Sequence, residues 1–71
     1  MVYIILGEGF EPVEAAAPAD ILRRGGVETV FAGIGGGVVT GAHGIKLACD
    51  IDIAELEPEK ADMIVIPGGL G

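Results

Sequence analysis

A chain of 71 residues holds at most one small domain, and domains near this size bury only about 60% of the surface they expose when unfolded. Yet 51% of the residues are hydrophobic and the mean hydropathy is +0.62, so part of the apolar surface is expected to rest against further chain, a second subunit, or both. Eleven acids against four bases, a formal net charge of -7, argue against nucleic acid and against an anionic membrane surface as partners, and no stretch approaches the ~20 apolar residues of a membrane span.

"VYIIL", Val2 to Leu6, is a short β-branched apolar run, the pattern of a central parallel strand covered on both faces. Gly7-Glu8-Gly9 ends it. Glu11 and Pro12 open a helix, Pro12 being tolerated in the first turn because its missing N–H had no partner there. The helix is predicted to reach Arg23 or Arg24 and to stop at Gly25-Gly26. "VETVFAG", Val27 to Gly33, reads as a second strand. "VVTGAHGIKLACD" reads as two short strands around a tight Gly-Ala-His-Gly bend, an excursion from the main sheet. "IDIAELEPEK" predicts a short helix ending near Pro58, and "ADMIVIPGG" a last strand. The order β-α-β-β-β-α-β predicts an α/β domain over residues 1–71 with an open, largely parallel sheet. It has the look of the first half of a doubly wound fold.

At about 100° per residue, Val13, Ala17, Pro18, Ile21 and Leu22 share an apolar arc of the first helix, and Glu14 lies near its middle. A carboxylate buried there needs a hydrogen-bonding partner. Pro18 has no N–H for the carbonyl of residue 14, so the helix is expected to loosen beside Glu14. A first-turn acid that simply reaches solvent and suits the helix dipole is the alternative. At the end of the last strand, Pro67-Gly68-Gly69 lets a ligand approach the backbone, and successive N–H groups can form a shelf for developing negative charge. Ligands of open α/β sheets bind at the carboxyl ends of strands, and that edge carries Glu14, Gly68 and Gly69 together.

Other motifs are weaker. "GEGFEP" has Pro12 where a dinucleotide loop needs its third glycine, and no acid ends the second strand, so no nucleotide cofactor is expected. His43, the one histidine, has no companion ligands for a metal. Cys49, the one cysteine, has no adjacent His or Lys to lower its pKa and reads as buried filler. A lone cysteine suits a reducing compartment, and the N-terminus has no basic region of a signal peptide, so a cytoplasmic location is expected. Glu55, Glu57 and Glu59 read as a solvated face.

"GFEPVEAAAPADILRRGG", "VTGAHGIKLACD" and "ADMIVIPGG" together resemble the ThiJ/PfpI superfamily, near the branch of the Parkinson-disease-associated deglycase, over essentially the whole chain. The resemblance implies a flavodoxin-like α/β sandwich, of which this is the N-terminal half, and a homodimer. It also implies a nucleophilic cysteine hydrogen-bonded to a protonated glutamate. Glu14 matches that glutamate, Gly68 and Gly69 match the facing Gly-Gly, and His43 matches a position near the site, often contributed across the dimer. The cysteine itself falls downstream of Gly69 in relatives and Cys49 does not match it. The 71 residues are therefore expected to be an N-terminal segment, not an enzyme alone. The complete protein is expected to act on small reactive carbonyls such as methylglyoxal, the alternatives being an intracellular peptidase, an isocyanide hydratase, or a redox-sensing or chaperone-like protein. A bare fragment that pairs with other subunits through its sheet edge is a further class.

Overall fold

The N-terminal apolar run forms β1 (Val2–Leu6), the strand around which the sheet is organised. The computed structural model describes residues 1–69; Leu70 and Gly71, the last two residues of the expected domain, lie outside the described residues. After β1 come α1 (Pro12–Arg24), β2 (Thr29–Gly33), β3 (Val38–Thr40), β4 (Lys46–Ala48), β5 (Ile51–Asp52) and β6 (Met63–Val65). The main sheet has the order β5-β2-β1-β6, and all its pairings are parallel. β1 thus has a neighbour on each side, in register from Val2 opposite Thr29 to Leu6 opposite Gly33. Its apolar residues are continuous because both of its faces meet other parts of the chain. The expected α/β architecture with a parallel sheet is what forms.

Alternation along β1 assigns the two faces. Ile4 and Leu6 point into a cluster with Phe10, Ala15, Ala19, Phe31 and Val39, against which Leu47, Cys49 and Val65 also pack. On the opposite face Tyr3 is buried, and its hydroxyl accepts a hydrogen bond from the Glu57 N–H at 3.3 Å. Ile64, in register with Tyr3, and Ile66 stay 48% and 77% exposed on that side of the chain. The apolar excess anticipated from composition therefore has a location.

Two elements depart from expectation. Between Cys49 and β6 there is no α-helix: β5 is followed by two single 3-10 turns, Ile53–Glu55 and Pro58–Lys60. The Asp52 carboxylate caps the first turn by accepting from the Ala54 N–H, and Glu55 accepts in return from the Asp52 N–H. Pro58 then holds Glu57 extended (φ -108°, ψ 97°), so there is no room for a second helical turn. The second correction concerns α1. Its buried positions are Ala15 and Ala19, whereas Val13 and Ile21, expected on the apolar arc around Glu14, are 75% and 67% exposed. Space above the sheet is already filled by Phe10, Phe31 and Val39, so the helix approaches through its small residues. Glu14 is accordingly exposed in this chain, and α1 continues through Pro18.

β3 and β4 form a separate antiparallel hairpin, the expected excursion from the sheet, with Ala42–Gly44 as its bend. Among the described residues no helix is long and apolar enough to cross a membrane.

Candidate functional site

Two loops meet at the carboxyl edge of the sheet, one leaving β1 and one leaving β6. The first carries Gly7 to Glu11 into α1. Its Gly9 has φ +81°, and the Gly9 N–H donates to the Thr40 carbonyl at 2.9 Å. Phe10 turns its ring into the core at 3% exposure and its carbonyl accepts from the Ala42 N–H at 2.9 Å. The hairpin is thereby docked on the β1 loop. Contact is so close at Gly41 that a Cβ there would lie 2.8 Å from the Phe10 carbonyl oxygen and 2.9 Å from its ring.

The second loop, Ile66 to Gly69, is held against the first. Glu11 donates its N–H to the Gly68 carbonyl at 2.8 Å, and Gly68 donates its own N–H to Glu14 Oε1 at 2.6 Å. Phe10 and Gly69 form an antiparallel bridge beside these bonds. Gly69 has φ +128°, a conformation open to glycine, and a Cβ on it would run into the Gly9 carbonyl oxygen. An open pocket of about 290 Å³ lies at the junction, walled by Ile5, Phe10, Ile34 and Ile66 and floored by Gly68 and Gly69. Its walls are apolar and its polar groups are backbone amides. Such a pocket admits a small molecule.

The Gly68 bond is the one hydrogen bond of the Glu14 side chain among the described residues, and no Lys, Arg or His side chain pairs with it there. Oε2 is left without a partner among those residues. Glu14 and Gly68 thus meet, with Gly69 beside Gly9 and Phe10, and the Gly68 N–H is directed to Glu14 rather than left open to a ligand.

The sequence profile described as the DJ-1/PfpI family matches residues 1–71, the entire chain. The chain belongs to the DJ-1/PfpI family. Among curated proteins it is 38% identical over 69 residues to protein dj-1beta of Drosophila melanogaster, covering 96% of this chain and 37% of that protein. It is 42% identical over 69 residues to uncharacterized protein SAV1875 of Staphylococcus aureus, covering 96% of this chain and 40% of that one. Solved DJ-1 structures superpose closely. The oxidized DJ-1 of Toxoplasma gondii has a TM-score of 0.91 at 34% identity, over 97% of this chain and 38% of its own. The DJ-1beta of Drosophila melanogaster has a TM-score of 0.90 at 37% identity, over 99% of this chain and 38% of its own. The 71 residues therefore span about two-fifths of these relatives, their N-terminal part.

His43 occupies the hairpin bend, exposed and at φ +60°, and makes no hydrogen bond or ion pair among the described residues. Its link to the site runs through the backbone: the neighbouring Ala42 is the residue bonded to Phe10. Cys49 lies away from the site, half-buried, where a Cβ on Gly33 would come within 2.5 Å of its sulfur. Burial first, then the nearby Asp50 and Asp52, pushes its thiol up from the ordinary 9.0. No group of three or more His, Cys, Asp or Glu side chains is gathered for a metal among the described residues.

Two contributors escaped the sequence reading. Phe10 joins core, hairpin and Gly69, and the Glu11 backbone N–H anchors the Gly68 carbonyl. A large apolar residue just before Glu-Pro at a helix start, facing a Gly in a distant bend, is the signal that could have marked Phe10.

Proposed function

We propose that this chain supplies the acid and oxyanion side of a cysteine-dependent site that acts on small reactive carbonyl compounds such as methylglyoxal. The observation that carries this reading is the contact of Glu14 with Gly68, a residue that also lines a small apolar pocket, on the strand edge where α/β sheets bind ligands. On this reading, which the resemblance to the family supports, the nucleophile comes from the part of the relatives beyond the length that this chain matches.

A thiolate from that part attacks the aldehyde carbon. The C–S bond forms as the carbonyl π pair moves to oxygen, and the resulting alkoxide takes a proton from Glu14 to give a hemithioacetal. The Gly69 N–H is the amide that supports the developing oxyanion. The Gly68 carbonyl faces the Glu11 N–H, and a trans peptide directs the Gly69 N–H the opposite way, away from the start of α1. In this reading the shelf uses one amide of the two expected.

Methylglyoxal turnover by the nucleophile-containing polypeptide, wild type against Glu14→Gln, tests the reading. A general acid contributes typically ~10²–10⁴-fold, so kcat should fall by that order while unfolding stability changes little. Equal turnover would remove Glu14 from the chemistry. Peroxide-driven oxidation of the cysteine with no turnover in either protein would favour a redox sensor instead.

A further inference from the structure

The contact between Glu14 and Gly68 is directional, and its direction bears on the acid role just proposed for Glu14, on which the inference rests. We infer that the Gly68 amide is a positioning group that divides the labour between the two oxygens of the Glu14 carboxyl. Oε1 is the fixed acceptor and Oε2 the oxygen that carries the exchangeable proton.

A backbone N–H can only donate, so the oxygen it meets must offer a lone pair. At 2.6 Å the Gly68 N–H meets Oε1, and a Cβ on Gly68 would lie 2.7 Å from Oε1 but 3.8 Å from Oε2, so the two oxygens are not equivalent. When the carboxyl is protonated, a hydroxyl Oε1 would be the poorer acceptor for this short bond, whereas a hydrogen on Oε2 leaves Oε1 as the carbonyl oxygen that accepts best. The donor itself is held. Glu11 anchors the Gly68 carbonyl at 2.8 Å, and the next residue is bridged to Phe10. The carboxylate occupies the place that a Cβ on residue 68 would take, which is why a glycine suits this position. The partner is a neutral amide, so the contact survives both protonation states and the acid keeps one orientation through a proton transfer.

Amide and carboxyl NMR of the 71-residue chain tests this without reference to turnover. The Gly68 amide proton should lie downfield and should move as Glu14 is protonated. In Glu14→Gln the carboxamide can present only its oxygen to the Gly68 N–H, so the downfield position should persist while the pH response disappears. Glu14→Ala should abolish both. A Gly68 signal that is the same in wild type and Glu14→Ala would overturn the inference. So would a random-coil position for that signal in wild type, since the contact would not be a property of this chain. Loss of turnover in Glu14→Gln alongside an unresponsive Gly68 amide would instead preserve the proposed function and sink only the assignment of the two oxygens.

Discussion

Phe10 and Gly69, fifty-nine positions apart, face each other as an antiparallel bridge that closes the carboxyl edge of an otherwise parallel sheet. Everything at the candidate site hangs on this bridge. Phe10 ties it to the hairpin through Ala42, and Gly69 brings the Gly68 peptide up to the first turn of α1.

Substitution of the two adjacent glycines should therefore give opposite signatures. Gly69→Ala places a Cβ on the Gly9 carbonyl and demands φ +128° of an L-residue. Backbone strain of that kind costs roughly 1–3 kcal/mol, and the urea midpoint should fall accordingly. Gly68→Ala meets only the end of the Glu14 side chain, which can swing away. Its stability should change by less than about 1 kcal/mol, within the usual spread of exposed substitutions, while turnover in the nucleophile-containing polypeptide drops as in Glu14→Gln. The idea fails if both variants unfold alike and turn over alike.

Arg23 and Asp50 make a second testable clasp. Arg23 donates through Nε and Nη2 to the Thr29 carbonyl, at 3.3 and 2.8 Å, and its guanidinium stands 5.1 Å from the Phe31 ring centroid. Asp50 accepts from the Phe31 N–H at 2.8 Å and pairs with Arg23 at 3.2 Å. Both ionic side chains are about half exposed, so the ion pair itself is worth little after screening. The buried Phe31 amide matters more. Asp50→Ala leaves it without an acceptor and should cost roughly 1–3 kcal/mol. Asp50→Asn keeps an oxygen for it and should recover most of that in chemical denaturation. Equal losses would shift the weight to the ion pair.

Much of this fold is legible in the sequence where local chemistry and burial agree. Pro12 and Gly25-Gly26 bracket α1, and the β-branched run of β1 marks a strand with neighbours on both sides. Legibility ends where tertiary packing decides. The 100° wheel cannot tell that α1 would turn Ala15 and Ala19 inward, because the reason lies in the volumes of Phe10, Phe31 and Val39 on other elements. The segment before Pro58 reads as a short helix, but its Asp52–Glu55 capping box closes only one 3-10 turn, ending at Glu55. Topology brings Glu14 and Gly68 to one edge, but the direction of the Gly68 N–H depends on the Glu11–Gly68 bond, and backbone bonds between distant loops leave no residue-type signal.

Cys49 offers a pH test. Its thiol is pushed up from 9.0 by burial and by Asp50 and Asp52, so the folded chain holds that proton more tightly than the unfolded one. Whatever stability this contributes is present below the unfolded value and is lost as pH rises through the folded value. The thiolate is the reactive form, so iodoacetamide should modify the native chain with a pH midpoint above that of the urea-unfolded chain. A native midpoint at or below the unfolded one would contradict the burial argument and would reopen Cys49 as a reactive group.

The exposed stripe of α1 bears on the homodimer expected from the family resemblance. Val13, Ala17 and Ile21 recur every four residues on one helix face, and the two large ones are 75% and 67% exposed. An apolar stripe on a core-packed helix is worth about 25 cal/mol per Å² only if something covers it. In the nucleophile-containing polypeptide, Ile21→Lys should leave the unfolding free energy of the isolated monomer within about 0.5 kcal/mol of wild type, as expected for a solvent-exposed position. The same change should weaken self-association by an order of magnitude or more in sedimentation equilibrium, because a desolvated ammonium would then sit in the interface. Self-association untouched by Ile21→Lys and by Val13→Lys would exclude this stripe from it. A monomer destabilised by Ile21→Lys would mean that the stripe is covered within a single polypeptide.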